Sequence, residues 1–135
     1  MDNRRFAVLR PDDIRPYDRG GGARTTPLVS ASTGATTFIN GITEFGPGAQ
    51  IPFHCHNCEE SVVLLEGQAF LDIDSEVHEL QALDTTFIPP NVPHRFRNRS
   101  KTNTMKILWI YASPRATRTL IETGETRFVD AEHAR

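Results

Sequence analysis

The sequence predicts an all-β protein, a double-stranded β-helix or jelly-roll barrel with an extended N-terminal arm, and three observations carry that expectation. Eight short β-prone runs, at 36–45, 51–56, 61–65, 69–73, 77–80, 85–88, 94–98 and 105–111, follow one another at near-regular spacing. Turn residues separate them: Gly46-Pro47-Gly48, Glu66-Gly67, Asp74-Ser75 and the run from Pro89 to Pro93. No long stretch has the 3.6-residue periodicity of an amphipathic helix. A barrel is the expected closure because it removes exposed strand edges.

The chain divides into an N-terminal arm over 1–30, a barrel over 31–115 and a C-terminal tail over 116–135 packed on the barrel. Pro11, Pro16, Gly20, Gly21, Gly22 and Pro27 make the first segment an extended arm or loop, able to lie along its own barrel or a partner's. The tail, with Leu120, Ile121, Phe128 and Val129 as its main apolar residues, reads as a short strand or helical turn, frayed over 130–135.

With 135 residues, the chain has material for one domain. Its 15 Lys and Arg face 17 Asp and Glu, and the cations are scattered, so no nucleic acid partner is expected. The apolar runs at 62–65 and 107–112 are too short to cross a bilayer, and residues 1–20 lack a secretory apolar core. No membrane partner and a cytoplasmic location are therefore expected. Cys55 and Cys58 are too close in sequence to staple distant segments, which fits a reduced compartment. The arm and the strand edges predict a homodimer.

The chemistry concentrates at 48–60. On a strand, His54 and His56 share one face while Cys55 points the other way. Glu60, past a short turn, can return a carboxylate to the same ion from an antiparallel neighbour. His94 follows the proline-stiffened loop 89–93, which can deliver its imidazole to a defined point. An isolated strand histidine is more often structural than a ligand; the pairing with Glu60 argues for one divalent ion on His54, His56, Glu60 and His94. Cys55 and Cys58 do not form a sulfur-rich site, because the histidines interleave with them and no second pair exists.

Gly48, five residues, His54, one residue, His56, three residues, Glu60, six residues, Gly67 resembles the first cupin motif at every defining position. The second motif is matched by Pro89, His94 and Asn98, while Leu83 and Asn91 stand where cupins carry glycine. Asn tolerates left-handed backbone angles; Leu83 implies a different turn before 85–88. The resemblance covers about residues 48–98 and implies a metal-dependent cupin barrel.

Four protein ligands leave an open position for a small-molecule substrate. The resemblance makes an iron-dependent dioxygenase acting on an oxygen-chelating compound the first reading, with Zn, Mn or Ni also compatible with the ligands. The alternatives are a non-redox isomerase, lyase or cyclase, or a metal-containing binding module. Strand parity places Val62, Leu64, Phe96 and Asn98 beside the ligands as pocket residues. Glu60 and Tyr111 are the candidate catalytic groups; Tyr111 shares a face with Trp109, an arrangement that also suits core or dimer interface. Arg95 and Arg97 alternate with the inward set and should point away, toward solvent or acidic residues.

Overall fold

The computed structural model describes residues 5–132. The strands are β1 (Tyr17–Gly20), β2 (Ala23–Pro27), β3 (Ile39–Phe45), β4 (His54–His56), β5 (Glu60–Glu66), β6 (Gln68–Ile73), β7 (Glu76–Gln81), β8 (Thr85–Ile88), β9 (His94–Asn98), β10 (Met105–Tyr111), β11 (Thr117–Leu120) and β12 (Thr126–Phe128), followed by a helical turn α1 (Val129–Glu132). All pairings are antiparallel.

The strands form two six-stranded sheets, ordered β1-β2-β3-β10-β5-β8 and β12-β11-β4-β9-β6-β7. Burial alternates residue by residue along β3, β5, β9 and β10, so one face of each is packed inward. Ile39, Phe45, Val62, Leu64, Ile88, Phe96 and Met105 are among the fully buried apolar side chains of that shared core, which also holds Trp109 and Tyr111. The expected pocket residues Val62, Leu64 and Phe96 are thus core residues by the same parity that turns them inward.

The closed jelly-roll barrel expected from the sequence does not form. Each sheet is open, ending in β1 and β8 or in β12 and β7, and among the described residues no hydrogen-bonded ladder joins one sheet's end strand to the other's. A run of strands and turns specifies two packed layers, but closure also needs matched end strands. Here β1 and β8 have four residues and β12 three, and β7 turns Glu76, His78 and Glu79 to solvent. Short or charged edges resist further pairing.

The region expected as an extended arm folds back on its own chain. β1 and β2 make a hairpin, and β2 pairs with β3 from Ala23 opposite Phe45 to Pro27 opposite Gly41. In the tail, β11 pairs with β4 and β12 with β11. Residues 133–135 of the segment expected to fray lie outside the described residues.

Backbone conformation explains the turns. Asp74 and Ser75, with φ of 52° and 61°, form the two-residue loop between β6 and β7, and left-handed angles at both central residues match the twist of a hairpin. Gly67 has φ 90°, and a Cβ there would lie 2.7 Å from the Thr104 carbonyl oxygen, so glycine is required for both reasons. Leu83 and Asn91 adopt φ of 76° and 65°. The turns are therefore made in the left-handed region without glycine, and the change of turn expected at Leu83 reduces to a strained residue.

Candidate metal centre

His54 and His94 stand directly opposite each other on β4 and β9, and His56 lies two residues further along β4 on the same face. Their ring centroids are 4.5 to 5.4 Å apart. All three are buried, and their ligand atoms lie within 4.8 Å of one another.

Main-chain carbonyls orient the rings. The Nδ1 atoms of His54, His56 and His94 are 2.8, 2.9 and 2.8 Å from the carbonyl oxygens of Pro52, Thr117 and Val92. A carbonyl only accepts, so Nδ1 carries a proton, and an imidazole with that tautomer presents its lone pair from Nε2. Such outer hydrogen bonds set the tautomer and aim of metal-binding histidines. Two carbonyls come from the residues two before His54 and His94; the third comes from the tail strand β11.

Glu60 reaches the histidines from the other sheet. The chain crosses between the sheets through residues 57–59, so the carboxylate does not arrive on an antiparallel neighbour of β4, the route expected from the sequence. Its Oε1 is 2.9 Å from His94 Nε2 and its Oε2 3.8 Å from His56 Nε2. Yet His56 Nε2, His94 Nε2 and Glu60 Oε1 are buried without a hydrogen-bond partner. A fully packed structure seldom tolerates such orphans, each of which costs about 1–3 kcal/mol. Three convergent lone pairs with no proton to share fit a cation, and the nitrogen and oxygen donors suit a divalent first-row metal.

Burial, followed by the neighbouring His94 and His56, pushes the His54 imidazole well below its ordinary pKa. Burial also lowers His56, against the opposing pull of Glu60. Both rings are thus held neutral, the form that binds metal.

Tyr111 on β10 stands directly opposite Glu60 on the adjacent β5. Its ring lies 4.4 Å from that of His56 and stacks on Trp109 at 4.8 Å, placing it beside the centre. Burial and the Glu60 charge hold its phenol well above the ordinary value, so it keeps its proton. Trp109 donates from Nε1 to Thr43 Oγ1 at 2.9 Å, in turn 2.9 Å from Thr25 Oγ1.

The remaining residues singled out from the sequence are spread over several jobs. Asn98 Nδ2 donates to the carbonyls of Phe45, Gly46 and Asn103, and its Oδ1 accepts from the Ser100 amide; the side chain ties loops at one end of the sheets. Arg95 and Arg97 point outward and both bind Asp72 on the adjacent β6, Arg97 through two atoms. Cys55 and Cys58 are free thiols, and burial raises Cys58. Arg19, Arg118 and Glu132, from the arm and the tail, were not singled out. Their side chains are about nine-tenths buried, but their sequence surroundings carry no motif.

The family described as Cupin domain matches residues 41–111. The chain is 36% identical over 99 residues to Polyketide synthase CurC of Streptomyces cyaneus, covering 73% of this chain and 64% of CurC. It is 33% identical over 99 residues to Protein SchB of Streptomyces halstedii, covering 73% and 72%. It thus spans just under two thirds of CurC. Among solved structures, the polyketide cyclase RemF from Streptomyces resistomycificus superposes with a TM-score of 0.72 over 92% of this chain and 85% of RemF, at 22% identity. A buried three-histidine centre between two antiparallel sheets, together with a family match over more than half its length, makes this chain a member of the cupin domain family.

Proposed function

We propose that this protein is a metal-dependent cyclase or isomerase that acts without dioxygen on an enolisable carbonyl compound, such as the poly-β-carbonyl products of polyketide synthases. The observation that carries it is the pairing of the orphaned Glu60 Oε1 and histidine Nε2 atoms with a protonated Tyr111 hydroxyl across one strand pair. The resemblance to CurC supports the substrate class. The iron-dependent dioxygenase reading has less behind it than this one, which the likeness to polyketide synthase proteins and to a polyketide cyclase supports.

In this reading His54, His56, His94 and Glu60 hold one divalent ion. When bound, such an ion acts as a Lewis acid toward a carbonyl oxygen. Glu60 supplies negative charge, and the carbonyls of Pro52, Thr117 and Val92 keep the rings aimed. Tyr111 donates a hydrogen bond from its hydroxyl to a substrate oxygen and holds its proton through the reaction, as its raised pKa allows. The apolar walls from Val62, Leu64 and Phe96 exclude water.

The test is metal analysis of untagged protein, then proton–deuterium exchange of acetylacetone followed by NMR with and without dioxygen. Exchange at equal rates in both atmospheres, lost on chelation, is the expected result. Oxygen uptake that tracks substrate loss and stops under anaerobic conditions would return the site to the dioxygenase reading.

A further inference from the structure

The described residues contain one more buried side-chain polar atom without a hydrogen-bond partner, Arg118 Nε. Arg118 on β11 stands directly opposite His56 on β4, so both side chains take the inward face. Its Nη1 is 3.2 Å from Glu132 Oε2, and Arg19 Nη2 is 3.9 Å from the same oxygen. Arg19 also donates to Thr25 Oγ1 at 3.3 Å. Two buried guanidiniums therefore share one carboxylate, carried by the short terminal turn α1.

These residues border a cavity of about 300 Å³, whose wall includes Pro52 and Leu120. Pro52 accepts the His54 Nδ1 proton and Leu120 stands opposite His54, so the cavity borders residues that flank His54. At its rim, Glu125 pairs with Arg127, and Asp18 accepts from the Gly20 amide. Inside, the two guanidiniums of Arg19 and Arg118 face the single carboxylate of Glu132. A divalent ion on the histidines would leave this interior in excess positive charge, which an anionic ligand meets.

We propose that Arg118 and Arg19 form a carboxylate-recognising subsite, that the substrate carries a carboxylate, and that Glu132 occupies the subsite until that carboxylate displaces it. The group resident there is itself a carboxylate, the planar partner that a guanidinium binds through two nitrogens. The unpartnered Arg118 Nε is the donor a second oxygen would take. Displacement turns the Glu132 side chain out of the cavity, while α1 stays anchored by the fully buried Val129 and its amide hydrogen bond to the Ala116 carbonyl oxygen. The proposal rests on the metal-centre reading only for where the rest of the substrate lies.

Calorimetric titration with benzoate, and with neutral benzamide as control, tests it in wild type, Glu132→Gln, Glu132→Ala and Arg118→Lys, with metal content measured on each preparation. Removing the resident carboxylate raises the fraction of open subsites, so both Glu132 variants should bind benzoate about five- to tenfold more tightly. Arg118→Lys should bind it about fivefold more weakly, having lost the planar fork. Benzamide should bind all four proteins alike. Unchanged or weaker benzoate binding by both Glu132 variants, or benzamide following the same order as benzoate, would overturn the subsite and leave Glu132 a structural counter-ion. Absence of metal with the benzoate order intact would sink the metal reading alone.

Discussion

Tyr111 and Glu60 are cross-strand partners on β10 and β5, and this single pairing brings a protonated phenol against the carboxylate that faces His56 and His94. Tyr111→Phe should keep the ring's stacking on Trp109 and its contact with His56. Metal content should stay near wild type, while turnover falls by about 10²-fold, the usual contribution of one positioned proton donor. Metal analysis and kinetics on the same preparation separate this from damage to the centre.

Metal binding should stabilise the fold, since an ion that binds the folded chain shifts its unfolding equilibrium. Chelation should lower the melting temperature, and zinc or manganese should restore it. In His94→Ala the difference between chelated and metal-loaded protein should disappear, because β9 contributes His94 to the three-histidine cluster. Scanning calorimetry reads both.

Glu60→Gln distinguishes a ligand from a proton carrier. As a ligand, the residue loses its charge on substitution, so metal content should fall. Full occupancy with turnover abolished would instead assign Glu60 to proton transfer.

Asp72 accepts from both Arg95 and Arg97, and hydrogen bonding from Arg97 holds its carboxyl below the ordinary value. A depressed folded-state pKa contributes stability that is present above the unfolded value, about 3.8 to 3.9, and is lost as pH falls through the folded value. Asp72→Asn should cost about 1–2 kcal/mol at pH 7, a modest figure because the arginines are partly exposed. The gap between wild type and variant should narrow on acidification below about pH 4. Urea titrations across that range measure it.

Leu83 holds φ at 76° with its side chain exposed, so glycine loses little packing there. Leu83→Gly should stabilise the protein by about 0.5–1 kcal/mol, the relief of a left-handed L-residue less glycine's entropy. The midpoint of urea unfolding should rise without a change in slope.

The three-histidine cluster is legible in the amino-acid sequence because its signal is local. His54-Cys55-His56 relies only on the two-residue period of a strand, and His94 on a proline-rich lead. The same period places Val62, Leu64 and Phe96 inward and Arg95 and Arg97 outward. What alternation cannot carry is the relation between separate strands. Whether twelve strands close into a barrel or stop as two open sheets depends on end strands meeting in register, and here they do not. Nor does alternation show that Tyr111 faces Glu60, that Thr117 offers its carbonyl to His56, or that Arg19, Arg118 and Glu132 converge from the chain's two ends. Most of those contacts join residues dozens of positions apart; strand pairing within one sheet makes the first two, and packing of the two sheets brings Arg19 to Arg118 and Glu132.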